Sequence, residues 1–159
     1  MHAEDLEPGG SGERRRNLQQ SRRLRRPAEF AAVLAASRAT SMRSAGTWLS
    51  VTAAWVPAER AVARVGLTVS KRMARRSIDR ALVKRIVREA FRLSADAIER
   101  AAAAAAVRVD ISLRLKRPLG APVDPQRLPL ADLRRALRAE VEQLLAAVVT
   151  RLSTVSSHV

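Results

Sequence analysis

Strict alternation of apolar and polar residues predicts β-strands in this chain. The segment from Val107 to Lys116 alternates over its whole length, with apolar side chains at odd positions and polar ones at even positions. A period of two is that of a strand with one buried face, so Ile111 at its centre is expected in the core. Residues 63–70 alternate in the same way, and Gly66 among them indicates a bend or a close backbone approach. The apolar stretch at 48–56 predicts a further strand.

A period near 3.6 residues predicts the helices. Pro27 is suited to begin a short helix, because its missing N–H costs nothing at the first helical position. Phe30, Val33 and Leu34 share one face of that helix. A long helix is predicted to start near Ser77, its expected N-cap, and to continue through the alanines at 101–106. The last predicted helix is amphipathic through its apolar residues Leu130, Leu133, Leu137, Val141, Leu144, Leu145 and Val148.

The long central helix separates its charges from its apolar side chains. Its cations recur at i, i+4 and form one stripe: Arg80, Lys84, Arg88 and Arg92. Its apolar residues fall on another face: Leu82, Val83, Ile86, Val87, Ala90 and Phe91. Such a helix packs one face on a core and presents cations to a polyanion on another.

These elements predict one α+β domain at residues 22–150. The predicted order is helix, strands, basic helix, strand and helix, with a small sheet packed on the helices. Residues 1–21 and 151–159 are expected to be disordered tails, because they are polar and lack periodicity. A basic arm near the amino end is formed by Arg14, Arg15, Arg16, Arg22, Arg23, Arg25 and Arg26. Such an arm either contacts phosphates without sequence preference or serves as a solvated linker.

The net charge points to a polyanionic partner. The 159 residues include 30 Lys and Arg against 15 Asp and Glu, for a formal charge of +15. Nucleic acid is the default partner of so basic a domain, since neutralising phosphates releases counterions. Nearly all of the cations are arginine, which offers planar contacts to phosphate and suits RNA. A genome rich in Ala and Arg codons would give the same bias, and on charge alone RNA, DNA and an acidic membrane surface stay open.

Catalytic and metal-binding patterns are missing from the sequence. There is no Cys, and both histidines, His2 and His158, stand at the chain ends. No pair of carboxylates has the spacing of an acid–base or metal site, so no catalytic residue, metal ligand or protein-bound cofactor is expected. No apolar run reaches the roughly 18 residues that span a bilayer. The acidic, Gly-rich first residues do not resemble a secretory signal, so the cytoplasm is the expected compartment.

Four segments together resemble the bacterial ribonuclease P protein subunit. They are RLRRPAEFAAVL, RVGLTVSKR, DRALVKRIVREAFR and the alternating DISL strand, followed by a carboxyl-terminal helix. Their order and spacing carry the resemblance, which runs from about Arg23 to Val148. A lone VKRxxRE would be weak, whereas VSKR at this distance before VKRIVRE is specific.

The resemblance implies a role in a ribonucleoprotein that removes the 5′ leader from precursor tRNA. The partner ribonuclease P RNA would hold the active site and its Mg²⁺, with one protein subunit per RNA and no membrane. The protein would bind that RNA with its basic helix and grip the single-stranded leader in a cleft between sheet and helix. The family also implies the order α-β-β-β-α-β-α and an uncommon left-handed βαβ crossover.

The resemblance also assigns residues to these roles. The residues expected to face RNA are Lys71, Arg72, Arg76, Arg80, Lys84, Arg85, Arg88 and Arg92. The leader cleft is expected at Phe30, Leu34, Val51 and Lys84. The family's basic motif has Asn and Arg where this chain has Ala81 and Leu82, so a contact made by those two residues is in doubt. Leu34 and Val51 stand where relatives often have aromatic residues, which makes this cleft poorer in stacking surface.

Two other classes of protein share part of this pattern. A structural RNA-binding protein of the ribosomal type would share the charge and the basic arm but would not require an SKR sequence leading into the basic helix. A DNA-binding regulator would place a support helix before the basic helix, where this chain has an alternating strand. Cleavage of precursor tRNA at low Mg²⁺, with the protein added to ribonuclease P RNA, separates these classes.

Overall fold

The computed structural model describes residues 22–157 of the chain. The tail predicted at residues 1–21, with the arginines at 14–16 of the basic arm, lies outside the described residues. Residues 158 and 159 lie outside them as well.

Residues 22–157 contain three α-helices and four strands, which follow one another in the order α-β-β-β-α-β-α. The helices are α1 (Pro27–Ala35), α2 (Ser77–Ala104) and α3 (Leu130–Ser156), and the strands are β1 (Ser41–Ala45), β2 (Leu49–Pro57), β3 (Ala63–Thr68) and β4 (Val107–Leu115). A single 3₁₀ turn, Arg38–Thr40, precedes β1. The α+β class and the element order predicted from the sequence are confirmed.

The four strands form one mixed sheet in the order β1-β2-β4-β3. Strand β2 pairs antiparallel with both β1 and β4, whereas β3 lies parallel to β4. Helix α2 connects β3 to β4, so the basic helix is the crossover between the parallel strands. The left hand of this crossover stays a prediction.

The main core lies between one face of the sheet and helices α2 and α3. The odd-numbered residues of β2 and β4 point into it, and Ile111 at the centre of β4 is 0% exposed. Helix α2 contributes its whole predicted apolar face to the same core, and α3 packs along α2. The burial predicted for Ile111 is therefore confirmed.

Helix α1 covers the other face of the sheet, on which the even-numbered residues of β2 and β4 lie. Arg64 of β3 joins the layers: its Nε and Nη2 donate to both carboxylate oxygens of Asp110 on β4 at 2.8 Å. Its Nη1 donates to Glu29 of α1 at 2.6 Å. At the other end of α1, Arg43 of β1 donates to the carbonyl of Leu34. Helix α1 thus crosses the sheet from the β3 edge to the β1 edge.

The start and end of α2 differ from the prediction. The helix begins at Ser77 with Arg76 as its N-cap, so the prediction that Ser77 is the N-cap is wrong by one residue. At its other end it stops at Ala104, and Ala106 has a left-handed backbone with φ of 54°. The chain must reverse there to enter β4 at Val107, and this ends the helix before the last alanines.

The alternation of apolar and polar residues did not predict β1, and the last helix extends beyond its predicted end. Strand β1 lies in a polar stretch of the sequence. It is an edge strand and pairs only with β2. The disordered tail predicted from residue 151 is wrong up to Ser156, where α3 ends. Leu152 continues the buried stripe at 0% exposure, and the guanidinium of Arg151 lies 5.6 Å from the ring centroid of Trp55.

Replacing Ile111 with Asp is expected to unfold the domain. A carboxylate buried in this core without a partner costs several kcal/mol, comparable with the ~5–15 kcal/mol total stability of a domain. Circular dichroism during thermal melting measures the effect. Arg108→Asp, at an exposed position of the same strand, is the control and should melt near the wild-type temperature. A native melting transition in Ile111→Asp would contradict this core.

Candidate nucleic-acid interface

The basic helix α2 keeps its cations outside the core as predicted. Arg85, Arg88 and Arg92 are exposed, and Lys84 is half-buried at the margin of the helix's apolar face. The apolar residues of α2 are buried against the sheet and α3, so the helix cannot turn its charges inward. Glu89 is the acid that lies among these exposed arginines.

A cavity of about 140 Å³ lies between α2 and the edge of the sheet. The segment before α1 forms part of its wall, because Leu24 donates its N–H to the carbonyl of Val65 on β3 at 2.9 Å. This bond holds Arg23 beside β3 in a parallel bridge. The full lining is Arg23, Leu24, Val65, Gly66, Leu67, Lys84, Val87 and Arg88.

The cavity is cationic and holds no balancing acid. Arg23, Lys84 and Arg88 line it together, and no carboxylate is among its lining residues. The Nε of Arg23 is buried and has no hydrogen-bond partner. Burial, followed by the charges of Arg88 and Arg25, holds the pKa of Arg23 below its usual value. An anion in the cavity would relieve both the missing hydrogen bond and the repulsion.

Phe30 of α1 lies against Gly66, which lines the same cavity. A Cβ added at position 66 would overlap the end of the Phe30 ring and approach the Cβ of Leu24 to 2.8 Å. The close approach predicted at Gly66 is therefore made by side chains rather than by backbone. Phe30 as a whole is half-buried.

Two other residues predicted for the leader cleft, Leu34 and Val51, do not line this cavity. Leu34 is 53% exposed at the far end of α1, toward β1. Val51 is 1% exposed and points into the main core, on the face of the sheet opposite α1. The prediction that Val51 contacts a leader is therefore wrong, because the alternation of β2 turns its odd-numbered side chains away from α1. The β2 residues on the α1 side are Ser50, Thr52 and Ala54.

The turn between β3 and α2 carries the remaining predicted cations. Lys71 and Arg72 are exposed. Arg80 donates instead to the carbonyls of Ala74 and Arg75, at 3.0 and 2.8 Å, and so ties the turn to α2. Arg80 therefore has a structural contact that the sequence pattern did not indicate.

Asp79, in the first turn of α2, is buried between two arginines. Arg127 donates to its Oδ1 at 2.9 Å and to its Oδ2 at 3.2 Å, and both side chains are less than 10% exposed. Arg76 donates to the same carboxylate at 3.2 Å. These hydrogen bonds hold the Pro-rich loop after β4 against the start of α2. Sequence analysis missed Arg127, because that loop has no periodicity to mark a buried position.

The acids of the fold are mostly bound to cations or backbone N–H groups. Glu140 of α3, for example, accepts the N–H groups of Trp48 and Leu49 at 2.8 and 2.7 Å. Within residues 22–157, no three His, Cys, Asp or Glu side chains converge as metal ligands. No helix in the same range is long and apolar enough to cross a membrane.

Comparison with known proteins identifies the family of this fold. A family model described as Ribonuclease P matches residues 18–128, more than half of the chain. The chain belongs to the ribonuclease P protein family. Helix α3, from Leu130, follows the matched region.

Individual members of the ribonuclease P protein family are also similar to this chain in sequence. The ribonuclease P protein component of Bordetella avium is 34% identical over 76% of this chain and 85% of its own length. That of Methylococcus capsulatus is 41% identical over 46% of this chain, and that of Bordetella parapertussis 42% over 49%. The chain spans only 52% and 63%, respectively, of these two relatives.

A solved structure of the Staphylococcus aureus RNase P protein has the same fold. It superposes with a TM-score of 0.52 at 18% identity, covering 79% of this chain and 94% of that protein. At this identity the likeness concerns the fold alone. It agrees with the three helices and the four-stranded mixed sheet described above.

Replacing Asp79 with Asn is expected to remove an acid-dependent part of the stability. Hydrogen bonds from Arg127, then from Arg76, hold the pKa of Asp79 below its ordinary value of 3.8. This contribution is complete above pH 3.8 and is lost as the pH falls through the lowered pKa of the folded state. At pH 7 the variant should be less stable by about 1.5–3 kcal/mol, and the difference from wild type should shrink in strong acid.

Urea unfolding between pH 7 and pH 2 measures this difference. The control is Asp132→Asn, because the Asp132 carboxylate is 52% exposed and lies 3.6 Å from Arg135, an ion pair that contributes little. A difference between Asp79→Asn and wild type that stays constant down to the lowest pH would contradict the linkage.

Proposed function

We propose that this protein is the RNA-binding subunit of a ribonuclease P particle. It binds the catalytic RNA and the 5′ leader of precursor tRNA and promotes the endonucleolytic removal of that leader. The observation that carries the proposal is the cavity at the β3 edge, in which Arg23, Lys84 and Arg88 lie without a carboxylate. Membership of the ribonuclease P protein family supports the same function.

The charges of the cavity favour a phosphate group as its occupant. Lys84 and Arg88 extend from a helix fixed by its buried apolar face, and Arg23 is fixed by its bridge to Val65. Charge-assisted hydrogen bonds from such groups are short and strong, and the buried Nε of Arg23 would gain a partner. Arg85 and Arg92 continue the exposed cationic surface along α2 and would contact neighbouring phosphates.

Phe30 gives this surface a means of contacting a base. Its half-buried ring adjoins the cavity through Gly66, so a strand whose phosphate occupies the cavity can place a base near the ring. Stacking of a base on an aromatic side chain is independent of sequence and contributes about 1–3 kcal/mol. A leader of variable sequence suits such a contact.

The departure from the family's basic motif has a structural counterpart in this chain. Leu82, which replaces an arginine of that motif, is 9% exposed and contributes to the core. Ala81, which replaces the asparagine, is exposed and offers no polar group. The RNA contact is therefore assigned to the cations that flank these positions, Lys84, Arg85 and Arg88.

The chemistry of cleavage is assigned to the RNA. The buried Asp79 and the half-buried Asp110 are bound to arginines, and Glu140 is bound to backbone N–H groups, so each already has a structural partner. Magnesium ions held by the RNA would activate water for attack on the phosphodiester. One protein subunit per RNA and a cytoplasmic location complete the proposal.

Cleavage of precursor tRNA tests this function directly. We expect no cleavage by the nuclease-free protein alone, and stimulation at low Mg²⁺ when it is added to the ribonuclease P RNA of its own genome. Cleavage is followed on gels with a 5′-labelled precursor. Cleavage without RNA, or no stimulation of the RNA, would refute the proposal.

Replacing Arg88 with Ala should weaken binding of the ribonuclease P RNA and lower its salt dependence. Loss of one phosphate contact reduces the slope of log affinity against log salt by roughly 0.7–0.9. Filter binding at several KCl concentrations gives the slope. Arg108→Ala removes an equal charge from an exposed site on β4 and should leave the slope nearly unchanged. Equal slopes for the two variants would place the RNA contact elsewhere.

Replacing Phe30 with Leu should weaken binding of precursor tRNA by about 1–3 kcal/mol, the contribution of one stacked base. Leucine keeps apolar contact with the surface around Gly66 but removes the aromatic face. Affinity for mature tRNA, which has no leader, should change little. Equal losses for precursor and mature tRNA, together with a lower melting temperature, would show that Phe30 is only a packing residue.

A further inference from the structure

A second cationic surface lies at the end of the sheet where β3 and β4 finish. These strands are parallel, so Thr68 and Leu115 end on the same side, and antiparallel pairing places the start of β2 beside them. Trp48 directly precedes β2, and Lys116 and Arg117 directly follow β4. None of these three residues lines the cavity between α2 and the β3 edge.

Trp48 and Arg117 form a cation–π pair on this surface. The Arg117 guanidinium carbon lies 4.8 Å from the centroid of the Trp48 ring, within the range of a cation–π contact. Arg117 is exposed to solvent. Among residues 22–157, no carboxylate forms an ion pair with Arg117 or Lys116.

The backbone beneath this pair is fixed from three sides. Trp48 donates its N–H to Glu140 of α3 at 2.8 Å, and its carbonyl accepts the N–H of Lys116 at 2.9 Å. Leu119, which is 3% exposed, donates to the carbonyl of Met73 at 2.9 Å. That last bond brings the loop after β4 against the turn after β3, which carries the exposed Lys71 and Arg72.

We propose that the Trp48–Arg117 pair is a stacking site for an unpaired nucleobase of RNA, distinct from the cavity on α2. The base stacks on the open face of the guanidinium, with the indole as its support, and Lys116, Lys71 and Arg72 neutralise the flanking phosphates. Guanidinium planes and aromatic rings are the surfaces on which proteins stack single-stranded bases. The site rests on the proposed function in one respect, that the base belongs to the RNA this subunit binds.

An arginine-to-lysine exchange separates stacking from simple charge attraction. Arg117→Lys keeps the positive charge and removes the plane. The probe is a fluorescent single-stranded oligoadenylate of about eight nucleotides, the site size of small single-strand binders, measured by anisotropy. We expect affinity to fall about tenfold, within the range of one lost stack. Arg108→Lys, at an exposed position near the start of β4 and remote from Trp48, should bind like wild type.

A polyanion without bases is the second probe in this experiment. An abasic ribose-phosphate oligomer of equal length and charge should bind wild type and Arg117→Lys equally. Trp48→Leu, checked by its melting temperature, should weaken oligoadenylate binding in the same direction as Arg117→Lys. Unchanged oligoadenylate affinity in Arg117→Lys, or equal losses for oligoadenylate and the abasic oligomer, would overturn the stacking site.

The stacking site and the proposed ribonuclease P function can be refuted independently. If Arg117→Lys has no effect on oligoadenylate while Arg88→Ala still lowers the salt slope with ribonuclease P RNA, only the stacking site is refuted. If Arg117→Lys loses oligoadenylate affinity selectively but the protein does not stimulate cleavage, the stacking site stands and the assignment to a ribonuclease P particle is refuted.

Discussion

Burial of the apolar face of α2 holds the sheet and α3 together and sets the direction of the basic surface. The face fills the space between the sheet and α3, and residues such as Val83 and Phe91 in it are 0% exposed. Because a helix cannot rotate without exposing such a face, the cations on its other sides are fixed in direction. The energy of apolar burial thus holds in place a group of like charges that would otherwise repel one another.

The acids determine which arginines are structural and which stay available. Arg64 is bound by Glu29 and Asp110, and Arg127 is bound by Asp79. These arginines join elements of the fold, and the paired carboxylates neutralise their charge, so they attract an anionic ligand only weakly. The cavity cations at the β3 edge have no such carboxylate, and Arg23 among them is partly buried and repelled by Arg88. The distribution of acids, more than the number of arginines, locates the candidate interface.

Two surfaces of different chemistry follow from the topology of the sheet. The β3 edge, the segment before α1 and helix α2 enclose a cavity suited to a phosphate group. The end of the parallel strands β3 and β4 brings the Trp48–Arg117 cation–π pair together with cations from two loops. A single strand of RNA presents both phosphates and unpaired bases, so the two surfaces are complementary in what they can recognise.

Local sequence patterns predicted most of the helices and strands and the apolar and polar faces of β4 and α2. Alternation located β4 and the burial of Ile111, and the 3.6-residue period separated the apolar face of α2 from Lys84, Arg85 and Arg88, because both periods are local properties of the backbone. Long-range packing places Val51 in the core, Arg23 in the wall of the cavity and Arg127 against Asp79. It also decided that α3 continues to Ser156 and that Arg117 lies over Trp48. Each of these contacts joins segments far apart in the chain, and local periodicity carries no information about which distant residues meet.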